Sequence, residues 1–146
     1  YFDNLLWMLE GHAPEQCSMR GYCGLQYLVE ADGSVYPCDF YGLDAYRLGN
    51  IRDDAWEDLD RAREALGFVE ASLRVPEKCG HCRWYPLCRN GCRRDRVLEG
   101  AQLGCSYYCE AYAGFFAYAL PRLGRARLLL RRIQTSWSAR EAVSGR

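Results

Sequence analysis

The sequence predicts an α+β fold of a small, irregular kind: one β-hairpin, a few helices, and cysteine-rich loops that need a staple stronger than apolar packing. Three observations predict it. Nine of the 146 residues are cysteine, well above ordinary usage for a chain this long. An Asp-Gly pair lies between two short runs of strand-forming residues. Apolar residues recur at helical spacing in three separate stretches. A chain of this length suits one domain with a modest core.

Taken in order, residues 2–11 read as the end of a helix, with Phe2, Leu5, Leu6 and Leu9 on one face and Gly11 as the stop. Residues 17–23 form a polar loop. Residues 25–37 read as the hairpin, turning at Ala31-Asp32-Gly33-Ser34, where Gly33 tolerates positive φ. Asp53 or Asp54 caps a helix to about Leu73, with Trp56, Leu59, Leu66, Val69 and Leu73 inward. Pro76 ends it. In the cysteine-rich loop 79–92, Gly80, Pro86 and Gly91 oppose regular structure. Residues 107 to about 133 are expected to be mostly helical, with Phe115, Phe116, Ala119, Leu120, Leu123, Leu130 and Ile133 on the apolar side. Pro121 and Gly124 are candidate kinks. Residues 134–146 are polar and expected to fray. No internal repeat or low-complexity segment is present.

The formal net charge is zero, which gives no whole-chain reason to expect nucleic acid. Lys78 is the lone lysine among 19 basic residues, a compositional habit of the source genome. No run of 18 apolar residues exists to span a membrane. The first residues carry an early Asp and no basic stretch, so they do not read as a signal peptide. The start on Tyr suggests a piece of something longer. A reducing, cytoplasmic compartment is expected, where clustered cysteines read as metal ligands before disulfides.

The cysteines fall in three groups: Cys17, Cys23 and Cys38 as C-x5-C-x14-C; Cys79, Cys82, Cys88 and Cys92 as C-x2-C-x5-C-x3-C; and Cys105 with Cys109. A [4Fe–4S] cluster takes four thiolates, one at each iron. Nine cysteines fill two such sites and leave one over. Thiolate–metal bonding would add folding free energy that a small core lacks. Zinc is the main alternative. The 79–92 run comes near a four-cysteine zinc pattern, whereas the three N-terminal cysteines fit it poorly. Disulfides are the third reading. Spacing alone would group Cys79, Cys82, Cys88 and Cys92 together. His81 reads as a surface residue or a support for a ligand, since thiolates already suffice. Arg83, Arg89, Arg93, Arg94 and Arg96 crowd this loop. They either offset the negative charge of a thiolate-bound cluster or form a solvated face. The arginines of residues 122–132 read as the wet side of a helix.

Cys38 sits in Asp32-Gly33-Ser34-Val35-Tyr36-Pro37-Cys38-Asp39-Phe40-Tyr41, followed by Arg47-Leu48-Gly49-Asn50-Ile51. The second run continues as Cys92-Arg93-Arg94-Asp95-Arg96, and Tyr108-Cys109-Glu110-Ala111-Tyr112 precedes Phe115-Phe116. This set resembles the C-terminal auxiliary-cluster (SPASM) domain of anaerobic sulfatase-maturating enzymes, in the radical S-adenosylmethionine superfamily. The resemblance covers residues 15–123. It implies that residues 1–14 are the tail of a missing partial β/α barrel, and that residues 124–146 are a C-terminal helix and frayed tail.

The resemblance also implies two [4Fe–4S] clusters with crossed ligation. Cys17, Cys23, Cys38 and Cys92 would hold the first; Cys79, Cys82, Cys88 and Cys109 the second. Cys105 would be spare. Two-cluster ferredoxins offer a physical parallel, because the fourth cysteine of a short run there serves the other cluster. Arg93 and Arg94 are candidate cofactor-binding residues. S-adenosylmethionine and a third [4Fe–4S] cluster would belong to the missing barrel and its C-x3-C-x2-C motif. That motif is absent here: Asp95 follows Cys88-x3-Cys92 where the third cysteine should stand, and Tyr112 follows Cys105-x3-Cys109. This segment alone is therefore not expected to cleave S-adenosylmethionine.

The complete enzyme implied oxidises a Cys or Ser of a sulfatase peptide to formylglycine, with Asp39 as general base. The bland reading of Asp39 is a turn cap after Pro37-Cys38. Implied partners are the N-terminal barrel, a sulfatase or other peptide substrate, and an electron carrier such as ferredoxin or flavodoxin; no nucleic acid and no membrane. The alternatives are the same domain in an enzyme modifying ribosomally made peptides, a free-standing electron-transfer or peptide-binding protein, and a structural zinc module.

Overall fold

The computed structural model describes residues 1–144, with side-chain surroundings through residue 132. The expected inward Ile133 therefore lies outside the described side chains. The fold is α+β, as its pattern of turns and helices implies.

The chain opens with α1 (Phe2–Leu9), whose buried face is Leu5 and Met8. β1 (Leu28–Val29) and β2 (Ser34–Tyr36) form the expected hairpin, antiparallel with Leu28 opposite Tyr36 and Val29 opposite Val35. Gly33 holds the turn at φ 87°, and the Asp32 carboxylate accepts the Ser34 N–H at 2.9 Å. A third strand, β3 (Gly49–Asn50), pairs antiparallel with β2 and completes the order β1-β2-β3. Two residues carry too little pattern to announce a strand. Asn50 is nevertheless built into the turn: its Nδ2 donates to the Asp32 carbonyl at 3.0 Å.

The helix expected over 53–73 is two helices, α2 (Trp56–Ala65) and α3 (Phe68–Leu73). Gly67, at φ 59°, breaks it. The cap differs too. Ala55 precedes α2 with no side-chain cap, because Asp54 turns back to accept the Asn50 N–H at 2.7 Å. Breaking the helix rotates its second half, which brings Phe68 and Ser72 inward and turns Leu73 out. Leu59, Phe68 and Ser72 are buried, while Trp56, Leu66 and Leu73 are exposed.

The cysteine-rich loop is not wholly irregular. It holds two single turns, α4 (Glu77–Gly80) and α5 (Tyr85–Cys88), the latter with Pro86 in its first turn, where a missing N–H costs nothing. A second hairpin follows, β4 (Arg96–Glu99) and β5 (Gln102–Ser106), pairing Arg96 with Ser106. The last helix, α6 (Cys109–Ser144), runs beyond the expected end and contains Pro121. Its Phe116 and Ala119 are buried, and Leu130 is exposed.

The core divides in two. Leu5, Met8, Met19 and Phe116 form one cluster, flanked by Trp84, Leu87, Cys88 and Tyr112. Cys38, Tyr41 and Phe68 form the other, flanked by Cys23 and Tyr46. Each fully buried side chain of this size contributes ~1.5–3 kcal/mol, and few are fully buried here. Outside both cores, Glu10 at the end of α1 is clasped by Arg127 and Arg131 of α6.

A Cβ on Gly33 would stand 2.5 Å from Asn50 Oδ1, in a conformation that side chains rarely adopt. Gly33→Ala should therefore destabilise the hairpin by about 1–3 kcal/mol. Thermal unfolding compared with the parent protein measures it, and an unchanged midpoint would contradict the turn's strain.

Candidate metal centre

Four thiols ring one cavity. Cys79 on α4, Cys82 just after it, Cys88 at the end of α5 and Cys109 at the start of α6 line a space of about 250 Å³, walled by Trp84, Tyr85 and Tyr112. Cys79 and Cys88 stand on the short turns α4 and α5, Cys82 lies between them, and α6 supplies Cys109. Cys105 lies close by, its Sγ 3.8 Å from that of Cys79, though it does not line the cavity as Cys109 does. His81, between two of these thiols, is exposed.

Cys92 is elsewhere, although only three residues separate it from Cys88. Arg89, Asn90 and Gly91 are all left-handed, at φ 49°, 65° and 61°. In a right-handed helix, residues i and i+4 share a face; this run turns Cys92 away. Asn90 is buried, and its side chain secures the turn: Oδ1 accepts the Ser106 N–H at 2.7 Å and Nδ2 donates to the Gly104 carbonyl at 3.0 Å. Asparagine tolerates the left-handed region better than most residues.

The neighbours of Cys92 are the N-terminal thiols. The fields of Cys92 and Cys17 both act on Cys23, and that of Cys17 acts on Cys92. Cys23 and Cys38 lie in the same small core, and the Ser72 hydroxyl accepts the Cys23 N–H at 2.8 Å. The structure thus brings Cys17, Cys23, Cys38 and Cys92 into one neighbourhood and Cys79, Cys82, Cys88 and Cys109 into another. Spacing alone grouped Cys92 with the second set and had no way to see the left-handed run.

Burial raises five of the thiol pKa values. It pushes Cys38 up to about 11, with the adjacent Asp39 carboxylate also raising it. Burial, then the Cys105 sulfur, pushes Cys79 up. Cys23, Cys88 and Cys92 rise for the same first reason. Asp39 is exposed, and its Oδ1 accepts from the Cys38 thiol at 3.2 Å and from the Phe40 N–H at 3.1 Å. It therefore bonds to the next residue of its own turn while standing against a thiol.

The cationic residues divide. The Arg93 guanidinium lies 4.1 Å from the Phe68 ring centroid and 5.3 Å from that of Tyr41, donates to the Phe68 carbonyl, and leaves its buried Nε without a partner. Arg94 lies over Tyr41 at 5.7 Å. Arg96 is buried, 6% exposed, a residue that sequence reasoning counted only as one of a crowd. Among the described residues no ion pair involves these three arginines.

An iron–sulfur group fits these residues. All candidate donors are soft thiols, suited to iron–sulfur or zinc. Among the described residues, no three His, Cys, Asp or Glu side chains converge as a single ion requires; Cys79, Cys82, Cys88 and Cys109 instead surround a space. The buried Arg96 guanidinium, in no ion pair among the described residues, would supply countercharge to an anionic cluster.

Comparison with known proteins agrees. An iron–sulfur cluster-binding domain model, SPASM, matches residues 17–83. Residues 17–83 belong to the SPASM family. This SPASM chain is 47% identical over 124 residues to the cysteine-type anaerobic sulfatase-maturating enzyme of Clostridium perfringens (strain 13 / Type A), covering 84% of this chain and 34% of that one. It is 28% identical over 123 residues to the serine-type enzyme of Bacteroides thetaiotaomicron, covering 82% and 30%. Among solved structures, native anSMEcpe with bound AdoMet aligns at a TM-score of 0.79 and 44% identity, covering 89% of this chain and 36% of that one. The SPASM chain thus spans about a third of the length of the curated relatives it matches. Among the described residues no helix is long and apolar enough to cross a membrane.

Metal binding must remove the thiol protons. Because burial raises five of the folded thiols, these hold their protons more firmly before loading, and loading releases them. Iron–sulfide reconstitution should therefore weaken as pH falls from about 8.5 to about 6.5. Bound iron per chain at each pH measures this; equal loading throughout would contradict it.

Proposed function

We propose that this chain is the auxiliary two-cluster part of an anaerobic sulfatase maturase, a radical S-adenosylmethionine enzyme that oxidises a Cys or Ser of a sulfatase to formylglycine. The observation that carries this reading is the separation of Cys92 from Cys88 by the left-handed turn at residues 89–91, which leaves Cys92 beside Cys17 and Cys23, in a chain 47% identical over 124 residues to such an enzyme. Cys17, Cys23, Cys38 and Cys92 would hold one [4Fe–4S] cluster, and Cys79, Cys82, Cys88 and Cys109 the other. When bound, the clusters would supply one-electron redox chemistry. S-adenosylmethionine and its own cluster would sit on an N-terminal barrel in the same polypeptide, which functions in the cytoplasm.

The chain's own residues do three things in this reading. The thiols fix the two groups in space. Asp39 takes the proton of the substrate thiol or hydroxyl at Oδ1, the oxygen that the Cys38 thiol now occupies at 3.2 Å; once Cys38 gives up its proton, that oxygen can accept another. Arg74, Arg93, Arg94 and Arg96 line an open cavity of about 640 Å³ without an acidic residue. That electropositive face suits an acidic electron carrier such as ferredoxin or flavodoxin.

Anaerobic reconstitution should give about eight iron and about eight sulfide per chain. Cys17→Ala and Cys92→Ala should damage the same cluster, Cys82→Ala and Cys109→Ala the other, and Cys105→Ala neither. Stoichiometric zinc without sulfide, or a cluster lost with Cys105 and kept without Cys109, would overturn the assignment.

In the enzyme that includes the barrel, Asp39→Asn should leave iron content and release of 5′-deoxyadenosine intact. Formylglycine should fall by about two to four orders of magnitude, the worth of a positioned base. An unchanged yield would return Asp39 to turn capping.

A further inference from the structure

The Arg96 guanidinium is held by four main-chain carbonyls. Its Nε donates to Asn90 O at 3.3 Å, Nη1 to Ser72 O at 2.6 Å, and Nη2 to Gly21 O at 2.7 Å and Gly91 O at 3.2 Å. These acceptors come from three segments, and each adjoins a thiol. Gly21 lies between Cys17 and Cys23. Ser72 is the residue whose hydroxyl holds the Cys23 N–H. Asn90 and Gly91 form the turn between Cys88 and Cys92. One planar fork therefore ties the N-terminal cysteine loop to the turn that separates the two thiol neighbourhoods.

A buried charge among neutral carbonyls is an expensive arrangement, because dipoles replace only part of the lost hydration. No carboxylate balances it: among the described residues Arg96 forms no ion pair. The groups placed to balance it are thiols from both neighbourhoods and the Tyr85 hydroxyl. Burial disfavours its charged form, and the fields of Cys23, Tyr85, Cys92 and Cys79 oppose that. A lysine could not reproduce the arrangement in full, since its ammonium is a point charge with three donors and no planar fork.

We propose that Arg96 is a positioning residue shared by both thiol neighbourhoods: its single buried charge is the common countercharge of the two groups they hold, and its fork sets their separation. This rests on the two-cluster reading above and adds to it a coupling between the sites. A cation beside an anionic cluster favours its reduced, more negative state, so both potentials depend on the same residue.

The test uses the full chain, reconstituted anaerobically, with Arg96→Gln and Arg96→Lys. Each site is read by EPR-monitored redox titration, isolated in Cys17→Ala and Cys82→Ala backgrounds. Parent protein without two clusters' worth of iron refutes the two-cluster reading itself, before any variant is compared. Given a loaded parent, Arg96→Gln should lower the reduced fraction at a fixed poise at least tenfold at both sites, a shift of about 59 mV for a one-electron couple. Arg96→Lys should recover most of it. If Arg96→Gln loads neither site while Arg96→Lys loads both, the shared charge is again supported. Unchanged potentials, an effect confined to one site, or a lysine variant that behaves like the glutamine variant would each overturn the proposal.

Discussion

Three consecutive left-handed residues, Arg89, Asn90 and Gly91, are the constraint on which the rest depends. A right-handed continuation of α5 would put Cys92 on the same face as Cys88 and close a four-thiol set within one loop. The reversed turn sends the two apart, so the cysteine-rich loop belongs to both halves of the molecule. Glycine adopts this conformation freely; arginine and asparagine do so at a cost of order 1–3 kcal/mol each. The surroundings over-determine it. Asn90 is buried and hydrogen-bonded through both ends of its amide, and Arg96 grips the carbonyls of residues 90 and 91.

The two apolar cores follow this division. One lies beside Cys88, built from α1 and α6 around Phe116; the other contains Cys38, packed with Tyr41 and Phe68. Each is small, and each has thiols within or against it. Apolar packing and metal ligation are therefore not separate layers of this fold. The aromatic rings that bury Cys38 are also the rings over which Arg93 lies, so the same contacts that stabilise the core hold a cation near the first set of thiols.

The parts of the fold legible in the sequence were those with a local chemical signature. Asp32-Gly33 announces its turn because glycine relieves a steric conflict that other residues cannot. The cysteine set announces a metal centre because its spacing has few other uses. β3 was not legible, since two residues have no period, and the β4–β5 hairpin lacks a strong turn pair. The break at Gly67 was overlooked because an isolated glycine is tolerated within helices. At the site, the thiols and the arginine crowd were visible, but the singular position of Arg96 was not. An arginine in an arginine-rich stretch reads as solvated, and its burial depends on carbonyls contributed from Gly21 and Ser72, distant in sequence.

The clasp of Glu10 by Arg127 and Arg131 joins the opening helix to the closing one. The Arg131 guanidinium holds the Glu10 carboxyl below its usual range, so the contact keeps its charge well into mildly acidic conditions. Its groups remain partly open to solvent, where dissolved ions weaken attraction. A polypeptide joined ahead of Tyr1 would thus be delivered alongside α6, anchored by a fastening that ionic strength can loosen. Leu5 and Met8, packed with Phe116 beside Cys88, would still hold the entry in place when that fastening gives way.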